Sequence, residues 1–326
     1  MKILVTGGAG YIGSHACKLL SAKGFEPVVY DNLSRGNRWA VKWGPLELGD
    51  IADPVRLRAV LEKYRPAALM HFAAYAYVGE SVESPLLYYR NNVAGTSSLL
   101  QTVIDFKPIP VVFSSTCATY GVPETTPISE DHPQRPINPY GFSKLVVERM
   151  LADLDAVDCL CSVSLRYFNA AGADPDGKIG EAHDPEPHLI PRVLAAARDG
   201  SLLRVFGNDY DTPDGTCVRD YIHVLDIADA HVRAIDYLMG GGESCSINLA
   251  NARGYSVKEV IATAERVCGK TIRVEIAPRR AGDPAVLIGT LDKAQTLLGW
   301  RPERSDLELQ ISDAWNWMKK THQTSL

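Results

Sequence analysis

Tyr140-Gly-Phe-Ser-Lys144 places a phenol and an ammonium four positions apart. On a helix, with about 3.6 residues per turn, that spacing projects both side chains from one face. A cation beside a phenol favours the phenolate by direct charge attraction, which brings its proton transfers toward neutral pH. The chemistry implied is that of a general base tuned by its neighbour. So short a pattern also describes an ordinary exposed Tyr and Lys, and the elements around it must decide.

The amino terminus supplies a second group of residues with a task. Met1-Lys-Ile-Leu-Val-Thr6 reads as a short apolar strand, Gly7-Gly-Ala-Gly10-Tyr-Ile-Gly13 follows at once, and Ser14 to Lys23 reads as a helix stopped at Gly24. In such a strand, loop and helix unit, Gly7 permits a tight turn, Gly10 lets backbone amides approach a pyrophosphate, and Gly13 allows close helix packing. The helix amino terminus adds a favourable field for phosphate. A second strand, Glu26-Pro-Val-Val-Tyr30, delivers Asp31 to the place where a carboxylate holds an adenosine ribose. That acid would repel a 2′-phosphate, so the cofactor predicted is NAD and not NADP. A nicotinamide cation would then reinforce the pull of Lys144 on the Tyr140 proton.

At 326 residues the chain suits an α/β core with a smaller second region, and an apolar content of 46% supports a large interior. A net charge of −5, with Lys and Arg scattered, leaves no basic footprint for nucleic acid. No run of about 18 apolar residues and no charged-then-apolar leader is present, so the expectation is a soluble cytoplasmic protein with no membrane partner. Seven cysteines without C-x-x-C spacing read as reduced thiols, and the eight histidines form no H-E-x-x-H pattern. No metal is expected to be required.

Further strands alternate with helices. Leu46–Leu48, Ala67–His71, Val111–Ser115 and Ser162–Arg166 read as strands, with helical segments near 54–64, 85–105 and 141–154. This alternation predicts an α/β protein, a Rossmann-type doubly wound parallel sheet with ligands at the carboxyl ends of its strands. From about residue 169, Asp/Pro/Gly-rich stretches suggest a looser, lid-like region in a smaller mixed α/β carboxyl-terminal part. Residues 1–168 are expected to hold NAD and 169–326 the substrate. A helix at 223–238 and a strand at 246–250 are placed in return segments near 219–250, with later helices at 256–268, 292–298 and 306–320.

GGAGYIG, Asp31, Gly49-Asp50-Ile51, His71-Phe-Ala-Ala, Phe113-Ser-Ser-Thr116, the Tyr140/Lys144 pair and Leu165-Arg-Tyr-Phe-Asn169 occur in order along the chain. With them the sequence resembles the extended short-chain dehydrogenase/reductase superfamily. Val78-Gly-Glu-Ser81, Val218-Arg-Asp-Tyr-Ile-His223 and Arg279-Arg280-x-Gly-Asp283 make it similar, within that group, to the UDP-galactose (UDP-glucose) 4-epimerases. The resemblance implies that Tyr140 is the base, that Thr116 hydrogen-bonds the sugar, and that Lys144 holds the nicotinamide ribose and lowers the phenol's pKa. It assigns Gly7, Gly10, Tyr11, Ile12, Gly13, Asp31, Asn32, Asp50, Ile51, Phe72, Ala73, Asn91, Ser114 and Tyr167 to the cofactor as well. On the substrate side it implies Asn169, Arg219, Arg280 and Asp283 at the phosphates and uridine ribose and Phe206 at the uracil, with Leu189 and Tyr221 beside them. A homodimer through the helices near 92–106 and 141–154 is implied too.

Three positions differ from what many of these epimerases carry. Ala76 stands where many of these epimerases carry a Lys near the nicotinamide ribose. His188 stands where an Asn commonly meets the diphosphate; it is either a contact or a lid histidine without one. Leu287, four on from Asp283, replaces a Tyr that closes the sugar pocket in narrow-specificity members, unless Val286-Leu-Ile288 is simply a strand edge.

The reaction implied is reversible inversion of C4 of a UDP-sugar, UDP-galactose or UDP-glucose, through a transient 4-keto sugar and tightly bound NAD. UDP-pentose and UDP-N-acetylhexosamine share this chemistry and remain alternatives. A nucleotide-sugar 4,6-dehydratase needs an acid directly after the Ser/Thr, where this chain has Cys117-Ala118. A non-catalytic NAD-sensing protein would characteristically lack the Tyr/Lys pair.

Overall fold

The computed structural model describes residues 1–280 and 283–323. Ala281 and Gly282, inside the Arg279–Asp283 motif, lie outside that description, as do residues 324–326 at the end of the chain, where fraying is expected over the last five positions.

The strands are β1 (Lys2–Thr6), β2 (Glu26–Asp31), β3 (Leu46–Leu48), β4 (Ala68–His71), β5 (Val111–Thr116), β6 (Ser162–Tyr167), β7 (Asn169–Ala171), β8 (Leu203–Phe206), β9 (Val218–His223), β10 (Cys245–Leu249), β11 (Gly254–Ser256), β12 (Val274–Ala277) and β13 (Val286–Leu287). Seven of them form one parallel sheet in the order β10-β6-β5-β4-β1-β2-β3. The chain runs from β1 outward to β3, then returns to lay β4, β5 and β6 on the other side of β1. This reversal between β1 and β4 opens a crevice at the carboxyl ends of the strands.

Alternate residues of β1 enter different layers, as the pleat requires. Leu4 shares a core with Leu57 and Leu61 of helix Pro54–Tyr64 and with Leu99 and Val103 of helix Thr96–Phe106. Ile3 and Val5 share another with Leu20 of helix Tyr11–Ala22 and with Ile227 and Ile235 of helix Val224–Met239. Both faces are therefore covered, which is why these strands are nearly continuous apolar runs. The strand expected at 246–250 is β10, which pairs with β6. Ala294, Leu298 and Trp300, at and just beyond helix Asp292–Leu298, also join the core beneath β1.

The helix expected over 85–105 is not continuous. It runs as Pro85–Tyr88, a wider π-helical turn at Tyr89–Gly95, and Thr96–Phe106. The wide turn brings Asn92 inward, where its side chain joins both backbone polar groups of Tyr75 at 2.9 Å and Ser143 Oγ at 3.0 Å. The region after 169 is more regular than its turn-rich composition suggests. A parallel ladder joins β7 to β9, β9 also pairs with β11 and β13, and β8 pairs with β12. Helix Leu189–Asp199 was not legible, because Pro191 argues against helix; the proline sits in the first turn, where no intrahelical N–H is needed. These elements close a separate apolar core containing Val193, Leu194, Val205, Val260, Ile261 and Ile311.

Candidate active site

The crevice widens into a cavity of about 970 Å³ bounded by the glycine loop, the ends of β2, β5 and β6, and the substrate-side elements Leu189–Asp199, β8, β9 and β13. Its floor depends on the absence of side chains. Gly7 has φ +74°, and a Cβ there would lie 2.5 Å from the Ala73 nitrogen across the crevice; one on Gly13 would lie 2.3 Å from the Gly7 carbonyl oxygen. Gly10 caps helix Tyr11–Ala22 with no side-chain hydrogen bond, leaving the first amides directed at the cavity. At the end of β2, Asp31 accepts hydrogen bonds from the Ala9 N–H at 3.0 Å and the Leu33 N–H at 2.8 Å. Both bonds fix the carboxylate in the cavity wall, while burial raises its pKa. A glycine cradle, a helix amino terminus and an oriented acid fit a dinucleotide.

The chemical centre lies where β5 ends. Asn138 accepts a hydrogen bond from the Gly141 N–H at 2.8 Å and Pro139 occupies the first turn, so helix Pro139–Asp155 starts two residues earlier than the sequence suggests. That start sets Tyr140 near Thr116, whose side chain favours the ionised phenol. Lys144, one turn on and almost fully buried, donates to the Ser114 carbonyl at 2.7 Å and lies 4.8 Å from the centre of the Phe113 ring. Ser114 Oγ and the Tyr167 hydroxyl are hydrogen-bonded alongside.

The titration of this pair differs from the sequence expectation. Burial pushes the Tyr140 phenol up to about 12, against the lowering effect of Thr116. Burial also pushes Lys144 down to about 7, opposed by the charge of Glu148. The protein groups alone therefore do not let Lys144 depress the phenol, since desolvation disfavours both charged forms.

Of the residues singled out from the sequence, Asp50 does not line the cavity. Its carboxylate instead accepts from Asn32 Nδ2 and from the Ala52 N–H, both at 2.9 Å, and so supports Asn32 from behind. All the others do line it: the glycines, Tyr11, Ile12, Asp31, Asn32, Ile51, Phe72, Ala73, Asn91, Ser114, Thr116, Tyr140, Lys144 and Tyr167 toward one end, and Asn169, His188, Leu189, Phe206, Arg219, Tyr221, Arg280, Asp283 and Leu287 toward the other. Arg219 is ion-paired with Asp283, and the Arg280 guanidinium lies 4.1 Å from the centre of the Phe206 ring.

Two groups on the wall were missed. Arg35 pairs with Glu80 and lies 5.3 and 5.0 Å from the rings of Tyr75 and Tyr77, on either side of Ala76. The second is Glu181 and His183, which converge with Glu186 behind them and with His188, already singled out from the sequence, before helix Leu189–Asp199. Their carboxylates hold both imidazoles protonated against the opposing effect of burial, with His183 raised to about 9 and His188 to about 10. The signal was the spacing E-x-H-x-x-E-x-H, which is not that of a helical metal motif.

Residues 4–310 match the family described as GDP-mannose 4,6 dehydratase. The UDP-glucose 4-epimerase of Rhizobium meliloti (strain 1021) is 54% identical over 99% of this chain and 98% of its own length. The chain belongs to the UDP-glucose 4-epimerase family. It lies within the extended short-chain dehydrogenase/reductases and is an NAD-dependent isomerase that inverts C4 of a UDP-sugar. The crystal structure of the Brucella ovis UDP-glucose 4-epimerase in complex with NAD has a TM-score of 0.95 at 52% identity, with 97% of each chain covered. A Stenotrophomonas maltophila UDP-glucose 4-epimerase with bound NAD and formylated UDP-arabinopyranose has a TM-score of 0.96 at 39% identity, with 99% of each covered. The local chemistry separates this epimerase from a dehydratase. Cys117, directly after Thr116, is held protonated by burial, its pKa pushed up to about 12, and Ala118 has no titratable group.

Proposed function

We propose that Tyr140, Thr116 and Lys144 carry out the C4 inversion, and that the single observation carrying this assignment is the convergence of the three side chains on one cavity wall, from the end of β5 and the first turns of helix Pro139–Asp155. Bound at the glycine loop, NAD supplies the centre that accepts the C4 hydrogen with its electron pair and gives it back. Tyr140 takes the proton of the 4′-hydroxyl and later returns it, while Thr116 holds the oxygen in line. Lys144 fixes the cofactor ribose and, together with the nicotinamide cation, offsets the burial that raises the phenol. Arg219, Arg280, Asp283 and Asn169 hold the nucleotide, with Phe206 against the base. Arginine forks suit phosphate oxygens, and they grip the nucleotide while the sugar turns.

Residues 1–168 with the return segments near 219–250 form the cofactor half in this reading, and 169–326 the UDP-sugar half. Leu287 lines the cavity from β13, which supports a second reading of breadth toward UDP-N-acetylhexosamines and UDP-pentoses. A homodimer is supported by the apolar surface of Leu86, 72% exposed, and Phe142, 46% exposed, the latter edge-on to Tyr89 at 6.2 Å. Among the described residues no helix is long and apolar enough to cross a membrane. A cytoplasmic location is supported by seven cysteines that form no disulfide.

The test is conversion of UDP-galactose to UDP-glucose by protein as purified, with NAD measured after denaturation. Tyr140→Phe should keep its NAD and lose about 10²-fold or more in turnover. Near-normal turnover in that variant would refute the assignment of the base.

A further inference from the structure

The loop between β7 and helix Leu189–Asp199 gathers four side chains whose donor atoms all lie within 4.8 Å of one another: Glu181, His183, Glu186 and His188. Nδ1 of His183 is 3.0 Å from a Glu181 oxygen and 3.6 Å from a Glu186 oxygen, while Nδ1 of His188 is 3.2 Å from Glu186 and hydrogen-bonded to Glu181. An ion held tetrahedrally at about 2.1 Å sets its ligand atoms about 3.4 Å apart. The imidazole–carboxylate separations already bracket that value, and no pair of donor atoms exceeds it by more than about 1.4 Å.

The surroundings hold this geometry from outside. The Trp317 indole donates to the Glu181 carbonyl at 2.9 Å, and Tyr11 and Tyr77 meet the His183 ring edge-on at 6.3 and 5.6 Å. Glu181 and His183 are half-buried, which shields the donors from water without sealing them. Two imidazoles select a borderline metal over magnesium or calcium, which prefer an all-oxygen shell. Two carboxylates match a charge of +2 once the ion displaces the proton that each imidazole holds in the metal-free ion pairs, so binding releases protons.

We propose that Glu181, His183, Glu186 and His188 form a binding site for a zinc-class divalent cation in the cavity wall, between the glycine loop and the substrate side. Four ligands from one eight-residue loop leave the ion little direct contact with the C4 chemistry. Its effect is structural: it ties the loop to itself just ahead of helix Leu189–Asp199, which His188 caps. The site stands independently of the epimerase assignment, because it uses neither Tyr140 nor Thr116.

The experiment uses NAD-loaded full-length protein, treated with chelator and then dialysed against zinc chloride or cobalt(II) chloride. Wild type should take up one equivalent of zinc, and its cobalt form should show the absorption of a four-coordinate nitrogen and oxygen site without thiolate charge transfer. His183→Gln and, separately, Glu186→Gln should weaken binding about tenfold or more, since loss of even an outer-shell partner costs about 10–100-fold. Retained NAD content reports that each variant is folded, and if one fails this check the other decides. Uptake of no zinc by wild type, a thiolate spectrum, or equal binding in the folded variants would overturn the site.

Discussion

Glu148→Gln is a demanding perturbation of the site's foundations. Glu148 lies one turn beyond Lys144 on the same helix and is 7% exposed; its partner Arg166, from β6, is 5% exposed. The carboxylate accepts from Arg166 Nε at 3.0 and 3.1 Å, from Arg166 Nη2 at 2.6 Å, from Gln134 Nε2 at 3.0 Å and from Ser115 Oγ. Every neighbour is a donor, so an amide NH₂ in either orientation faces another donor and leaves the guanidinium buried without a counter-charge. Breaking a buried pair by removing one member typically costs about 3–5 kcal/mol. With roughly 2.1 cal/mol/K of unfolding entropy per residue over 326 residues, that lowers Tm by about 4–7 °C. Calorimetry on NAD-loaded wild type and variant measures it, and Glu148→Leu combined with Arg166→Met should lose less than Glu148→Gln. The same change removes the charge that raises Lys144, so the lysine should titrate lower and the alkaline limb of turnover should shift down with it. A Tm within about 1 °C of wild type would show that the pair is not the buried clamp described, because the expected shift is several-fold larger.

Thr116→Ser should retain substantial turnover and Thr116→Val should not; equal rates would show that the hydroxyl is dispensable. Leu287→Tyr should lower kcat/KM for UDP-N-acetylgalactosamine selectively against UDP-galactose, by an amount on the order of 1–3 kcal/mol in discrimination, and an unchanged ratio would remove Leu287 from the sugar pocket. Acid should destabilise the fold between pH 6.5 and about 4. Burial lowers His15 and His231 to about 4 and His71 to about 3, so the unfolded chain takes up protons that the folded one refuses, and each contributes a slope of up to about 1.4 kcal/mol per pH unit. Asp220, raised to about 7 by burial, has the opposite sign over that window and offsets roughly one of the three. Urea midpoints across this range should fall with pH; a flat profile would contradict the burial of the imidazoles.

The cofactor half was legible because its tasks are local. A glycine that must meet another backbone, an acid about 20 residues later and a strand buried on both faces all leave marks within a few residues of one another. The substrate half was legible only in its motifs. Strands as short as Val286–Leu287 carry no alternation to read, and their pairing with β9 is set by tertiary contact. The motif around Asp50 was legible but its contacts were not: its carboxylate accepts from the Asn32 side chain, which lies 18 residues away in the chain. The titration of Tyr140 and Lys144 was not legible either: helical spacing gives their relative position, but not how completely each is withdrawn from water.

In the ladder joining β13 to β9, Leu287 is the register partner of Arg219. The residue proposed to set sugar breadth and a residue proposed to hold the diphosphate thus share one rung of a backbone scaffold. Exchanges of side-chain volume at 287 can explore new sugars while the nucleotide grip stays in place. An insertion or deletion anywhere in β13 would instead slip the rung and carry the guanidinium's support with it. Diversification of this enzyme by point substitution is therefore open at that position, and diversification by changing loop length there is closed.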